Sequence, residues 1–164
     1  MKTSIEFEIE KTTNLKDFEF CALMMAKSDP WITLEMGFDF CMQAFEGASK
    51  EVYILRINTE VAGFVILQID GTFKGYIQTI CINKDFRGIG LGKKLLTFCE
   101  DRILQISPNV FICVSSFNTR ALRLYSNFGF KTIGELPNFI KDGFSEILLW
   151  KSFGPKIGFQ NPKE

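Results

Sequence analysis

The sequence predicts a mixed α/β domain, a central sheet of about seven strands flanked by about four helices, and three observations predict it. Three β-rich runs follow one another closely at residues 51–57, 61–69 and 76–82, as an antiparallel meander does. A helix-period stretch then leads from the third run to a fourth at 110–114, the spacing of a parallel βαβ step. A second helical stretch and a closing pair of runs, 131–136 and 145–151, complete the pattern. With 164 residues the chain has room for one well-formed core, which we place at 1–153, followed by a loosely held tail at 154–164 rich in Gly, Pro and charge.

The first element is an alternation, Ile5, Phe7 and Ile9 against Glu6, Glu8 and Glu10, that marks a half-buried strand. Residues 12–14 offer caps for a helix to about Lys27, with Leu15, Phe18, Cys21 or Ala22 and Met25 on one face. Ser28-Asp29-Pro30 ends it. A second helix is expected over 33–45, stopped by Gly47. Trp31, between the two, is either a lid on the core or part of a substrate pocket. Asn58-Thr59-Glu60 makes the turn of a hairpin, and Asp70-Gly71 makes the next. The helix from Leu91 to about Ile106 carries Leu91, Leu95, Phe98 or Cys99 and Ile103 at helical spacing. The run Val110-Phe111-Ile112-Cys113-Val114 is apolar throughout, as in a strand covered on both faces.

Composition excludes several classes. Nineteen basic and nineteen acidic residues leave no general electrostatic footprint for nucleic acid or an acidic membrane. The absence of histidine removes any His-based triad, His metal site or His general base, and no metal is expected. Five cysteines, odd in number and without a C-x-x-C pair, read as reduced core residues of a cytoplasmic protein. Eighteen phenylalanines are expected mostly in the core. No apolar run reaches the roughly 18 residues of a membrane span, and residues 1–10 lack the apolar core of a signal peptide.

The chemistry gathers at Arg87-Gly88-Ile89-Gly90-Leu91-Gly92-Lys93, between a strand and a helix. Three glycines in five positions let backbone N–H groups converge on an anion, and the helix N-terminus adds unpaired donors and a partial positive charge. Lys93 and Lys94 add full charges. The alternative is an ordinary strand-to-helix turn. The dinucleotide fingerprint G-x-G-x-x-G fails because the third glycine comes one residue early, and the Walker pattern fails because Arg87 and Lys94 stand where it needs Gly and Ser or Thr. Instead, Arg87-x-x-Gly90-x-Gly92 resembles the pyrophosphate loop of the GNAT N-acetyltransferases, Q/R-x-x-G-x-G/A. Further on, Asn118-x-x-Ala121-x-x-x-Tyr125-x-x-x-Gly129-Phe130 resembles that family's second motif at every marked position. On the residues alone, Ala121, Tyr125 and Phe128 share a helix face and Gly129 is a left-handed stop. A Tyr on such a face is either a core residue with its hydroxyl satisfied or a catalyst.

The resemblance covers roughly 51–151 and implies a GNAT-like fold in which two parallel strands splay apart to admit the pantetheine arm of acetyl-CoA. It implies that the loop, including Gly88, Ile89, Leu91 and Lys93, holds the pyrophosphate. Backbone groups of Ile80 and Ile82, left unpaired by the splay, would meet the pantetheine together with Cys81 and Asn118, and Tyr125 would give a proton to the departing thiolate. The acceptor would be a small-molecule or peptide amine, placed near Trp31, Glu35, Phe73 and Gln78 between the loop at 31–35 and the loop at 137–143. The family is compatible with a homodimer. Many members place a glutamate on the strand before the loop or at the end of the next one, where this chain has Tyr76 and Cys113. The base therefore stays open among Glu35, Glu135, Glu146 and a water held by Gln78. The implied reaction is direct acetyl transfer to a primary amine in a ternary complex. The rivals are an acyl-CoA-binding module without turnover and, more distantly, a nucleotide-binding oxidoreductase.

Overall fold

The computed structural model describes residues 5–164; of the N-terminal stretch, residues 1–4 lie outside the described residues. One seven-stranded sheet runs in the order β1-β2-β3-β4-β5-β7-β6. Its strands are β1 (Glu8–Thr12), β2 (Lys50–Ile57), β3 (Glu60–Gln68), β4 (Tyr76–Ile82), β5 (Asn109–Ser115), β6 (Lys131–Pro137) and β7 (Ser145–Ser152). The helices are α1 (Leu15–Ala26), α2 (Phe38–Gln43), α3 (Leu91–Leu104) and α4 (Thr119–Phe128). The mixed class, the meander and the parallel step are as the sequence predicts. The final strands pair as expected, but β7 inserts between β5 and β6.

Two helical layers cover the sheet. On one face α3 packs Leu95, Leu96, Cys99 and Ile103 against Leu55, Val65, Leu67, Ile77, Ile112 and Leu149. On the other, α1 and α2 set Cys21, Met25 and Cys41 against Ile54, Phe64 and Ile66 of β2 and β3. Asn14 caps α1 by accepting from the Lys16 N–H, and the buried face is Cys21, Ala22, Met24 and Met25, with Leu15 turned out to solvent.

Several expectations are corrected. The second helix does not run over 33–45. Residues 31–35 form one turn in which Glu35 takes a left-handed φ of 58°, with Met36 N–H donating to the Trp31 carbonyl and Glu35 N–H to Ile32. This is a Schellman closure with Glu where Gly is usual, and helix resumes only at Phe38. The strand β5 is buried on one face only: Val110, Ile112 and Val114 are covered by α3 and α4, whereas Phe111 and Cys113 are half-buried because the α1–α2 layer ends short of them. Cys113 is thus not a core residue like the other four cysteines. Of eighteen phenylalanines only Phe45, Phe64 and Phe130 are buried, since most pack at the rims of the two layers. The tail is tied down rather than loose: Lys163 Nζ bonds Glu100 and Asp101 of α3 at 2.9 and 2.6 Å, and Lys156 donates to the Thr72 carbonyl.

What positions the site is the relation of β4 to β5. They pair in parallel only at Tyr76↔Phe111 and Ile77↔Ile112. Beyond that point β4 stays with β3 and β5 stays with β7. The β3–β4 register slips where Ile66 faces Thr79 and Leu67 faces Ile77, so Gln78 is an extra residue, and the bulge bends β4 away as the pairing ends. The closed end of this wedge is fastened by Gly75, whose carbonyl accepts from Phe111 N–H at 3.0 Å. Gly75 has a φ of 93°, and a Cβ there would strike the Asn109 carbonyl and Ile103.

Candidate active site

At its open end the wedge is continuous with a cleft of about 360 Å³ running between the starts of α3 and α4. After β4, Asn83 caps a single 3-10 turn, Lys84–Phe86, and the chain then enters the glycine loop. Gly88 and Gly90 have φ of 85° and 87°, and nothing lies within 4 Å of a Cβ built on either. Such backbone is strained for other residues, and here no neighbouring atom explains it. Gly92 has a different reason: its Cβ would press on Leu124 of α4 at 3.1 Å, so the third glycine lets the two helices close together.

The start of α3 departs from ordinary capping. Gly90 is its N-cap with no side-chain bond, no acid lies in the first turn, and Lys93 and Lys94 crowd positive charge against the positive end of the helix dipole. Uncapped N–H groups and cations at that end are unfavourable alone and favourable around an anion. The residues present therefore fit a pyrophosphate. Arg87 is a strut of this loop: its Nε donates to the Ile82 carbonyl at 3.0 Å and its Nη2 to Ser28 Oγ at 3.2 Å. The Ile82 carbonyl is consequently not unpaired, contrary to the expectation from the splay.

The other expected cofactor residues divide by position. Ile80, Cys81, Ile82, Arg87, Gly88, Gly90, Leu91, Gly92, Lys93, Asn118 and Tyr125 line the cleft, while Ile89 sits at the loop tip, 46% exposed and off the lining. Asn118 spends its side-chain oxygen on the Ala121 N–H as the α4 cap, which leaves the amide NH₂ toward the cavity. Arg120 also lines the cleft, and the sequence motif does not mark it.

Tyr125 is buried, 6% exposed. It lines both the cleft and a second chamber of about 110 Å³ farther into the wedge. Burial pushes its phenol well above the usual range, with Cys99 and Cys81 adding to the effect, so it keeps its proton. The inner chamber is also lined by Trp31, Tyr76, Gln78, Cys113, Ser115 and Glu146. Trp31 thus borders both cavities. Gln78 borders the chamber but donates its amide to the Ala44 carbonyl at 2.9 Å.

Two expected acceptor residues lie elsewhere. Phe73 is 66% exposed and packs edge-on against Phe111 beside the closed end of the wedge. Glu35 points to solvent and forms an ion pair with Lys141 at 2.7 Å, linking the loops at 31–35 and 137–143. Of the candidate bases, Glu135 is exposed on β6, and Glu146 alone among the glutamates lines the chamber. Among the described residues no cluster of side chains could hold a metal ion, and no helix is long and apolar enough to cross a membrane.

A parted parallel strand pair, an open glycine cradle and a tyrosine at their meeting point thus form one continuous cleft. The chain belongs to the acetyltransferase (GNAT) family, whose pattern matches residues 15–130. An uncharacterized N-acetyltransferase of Methanocaldococcus jannaschii is 30% identical over 101 residues, 60% of this chain and 64% of its own length. An N-alpha-acetyltransferase of Sulfurisphaera tokodaii is 24% identical over 110 residues, 59% of this chain and 66% of that protein. The chain thus spans just under two thirds of the length of these curated relatives. A GNAT family acetyltransferase from Elizabethkingia anophelis, solved with acetyl-CoA bound, superposes with a TM-score of 0.64 at 21% identity, covering 90% of this chain and 98% of that one. At that identity the likeness is one of fold.

Proposed function

We propose that this chain transfers the acetyl group of acetyl-CoA to a primary amine by direct attack in a ternary complex. The observation that carries this reading is the parting of β4 and β5 after Ile77 and Ile112, beside a glycine cradle with room for a phosphate. The pyrophosphate rests on the backbone from Gly88 to Lys93. The pantetheine lies along β4 at Ile80, with the Asn118 amide as a donor. This brings the thioester to the junction of cleft and chamber, where Tyr125 and Trp31 border both.

Tyr125 supplies the proton to the leaving sulfur. A thiol has an ordinary pKa near ~8.5, well below a buried phenol, so transfer to a solvated thiolate would be uphill. A thiolate formed beside Tyr125 is desolvated too, which raises its own proton affinity and narrows the gap. The contribution expected of such an acid is ~10²–10⁴-fold. The amine reaches the thioester from the chamber side.

One observation favours a second reading, an acyl-CoA-binding module without turnover: Tyr76 and Cys113 stand at the two strand positions where a carboxylate is expected. Coenzyme A thiol release, followed over monoamines, polyamines, aminoglycosides, amino acids and peptides, separates the two. The enzyme reading predicts amine-dependent thiol release. Tight acetyl-CoA binding by calorimetry with no release for any amine would establish the module instead.

A further inference from the structure

Three glutamates are buried among the described residues, and two of them are neutralised by cations. Glu51 is bound by Lys11 at 3.0 Å and by Arg102 at 2.8 Å, and also accepts from the Tyr53 hydroxyl. Glu100 is bound by Lys151 and Lys163. Glu146, 5% exposed, has no cation partner among the described residues. Its only protein partner among the described residues is the Ser115 hydroxyl, which donates to Oε1 at 2.6 Å. The strand pairing explains the contact, since Ser115 and Glu146 face each other directly in the β5–β7 register. A buried carboxylate without a cation is costly, and here it borders the chamber that meets the cofactor cleft at Tyr125.

The rest of the lining says which cation would suit this carboxylate. Among the described residues no lysine or arginine borders the chamber, and no second acid does. A polyamine or aminoglycoside carries several ammonium groups, each wanting its own carboxylate, whereas this chamber neutralises one. Its other walls include the Trp31 ring, Tyr76, Ile112 and Val114, which suit an apolar substituent close to the nitrogen. Burial also raises the Glu146 carboxyl above the usual carboxylate range, opposed by the Ser115 bond, which makes it a better proton acceptor than a solvated glutamate.

We infer that Glu146 is the acceptor-side catalytic carboxylate and that the acceptor is a monocationic primary amine flanked by an apolar group, either a free arylalkylamine or the amino terminus of a peptide with an apolar first residue. The inference rests on the acetyl-transfer reading. Glu146 binds the incoming ammonium and takes one proton from it, passing that proton on to solvent. The neutral nitrogen forms the C–N bond at the thioester carbonyl as the C–S bond breaks. Tyr125 gives its proton to the sulfur, and the second proton shed by the nitrogen restores the phenol. The products are the acetamide, coenzyme A thiol and one released proton.

The test uses 2-phenylethylamine, a short peptide amide beginning with phenylalanine, and spermidine as acceptors for the full chain, with Glu146→Gln and Ser115→Ala as variants. We expect kcat/KM for the better monoamine to exceed that for spermidine at least tenfold. Glu146→Gln, nearly isosteric, should lower kcat/KM by ~100-fold with acetyl-CoA affinity unchanged. Ser115→Ala should lower it less, through looser placement of the carboxylate. The preferred monoamine distinguishes a small molecule from a peptide. Wild-type turnover in Glu146→Gln overturns the assignment, and spermidine as the best acceptor overturns the substrate class. Calorimetry of 2-phenylethylamine with the coenzyme A complex reads the site without turnover. Binding that is lost in Glu146→Gln supports the carboxylate site even if acetyl transfer fails, and no binding to the wild type overturns it.

Discussion

The wedge between β4 and β5 has a glycine at each end, and the two are there for opposite reasons. Gly75, at the closed end, has a φ of 93° and no room for a side chain, because the Asn109 carbonyl and Ile103 occupy the place a Cβ would take. Gly90, at the open end, has nearly the same φ, 87°, and nothing within 4 Å of that place. A positive φ in a crowded spot holds strands together. A positive φ in an empty one leaves space for something the chain itself does not supply. The lesson is that backbone conformation marks both positions as special, and only the surroundings tell a structural glycine from one built for a ligand.

The largest effect should come from crowding the closed end. Gly75→Val must push β4 off β5, and we expect a loss of about 3 kcal/mol or more in urea unfolding. A stability within about 0.5 kcal/mol of wild type would show that the Phe111–Gly75 bond is not what fastens the wedge.

The buried glutamates sharpen the same contrast between filled and unfilled places. Glu51 is desolvated, which would raise its pKa, but the bonds from Arg102, Lys11 and Tyr53 prevail and hold it down at about 2. A depressed carboxylate contributes stability above its unfolded pKa that is lost as pH falls through the folded value, here between roughly 4.5 and 2. Glu51→Gln should therefore lower stability at pH 7 and flatten the acid limb of a stability–pH curve, while Glu146→Gln should leave stability at pH 7 equal or higher. Equal losses in both variants would erase the distinction between the two sites.

At the open end, Tyr125→Phe keeps the ring and removes only the proton. We expect kcat to fall at least tenfold, a conservative fraction of the ~10²–10⁴-fold range, with acetyl-CoA affinity little changed. Turnover equal to wild type would make Tyr125 a packing residue. The smallest effect is expected from Trp31→Ala: a rise of about three- to tenfold in the acceptor KM with acetyl-CoA affinity nearly unchanged, since the residue borders both cavities while the cradle is intact. Wild-type kinetics would remove Trp31 from the site.

How much of this was legible in the sequence depends on the range of the interaction. The glycine loop and α4 are readable because glycine spacing, helical stripes and the Gly129 stop are local signals. β4 was readable to the residue for the same reason. The second helix was overextended because the apolar rhythm of 33–45 hides the left-handed turn at Glu35, where an adverse residue type is held by two backbone bonds. The half-open face of β5 could not be seen in an all-apolar run, because it depends on where α1 and α2 stop. Glu146 could be named only as one of several acids, since its place in the chamber follows from the insertion of β7 beside β5 and from the Ser115 register. The docking of the tail turns on Lys163 meeting Glu100 across 63 residues, a contact that composition cannot report.

The central claim is that the glycine cradle at Gly90 is a coenzyme A pyrophosphate site. Calorimetric titration of acetyl-CoA into the wild type and Gly90→Asp tests it most directly. Asp tolerates a left-handed φ better than most residues, so the variant should fold, with an unfolding midpoint close to wild type. It also places a negative charge where the phosphates would rest. The account predicts one-to-one binding by the wild type and at least ~100-fold weaker binding by the variant, about 2.7 kcal/mol. A folded Gly90→Asp protein that binds acetyl-CoA with unchanged affinity would contradict it.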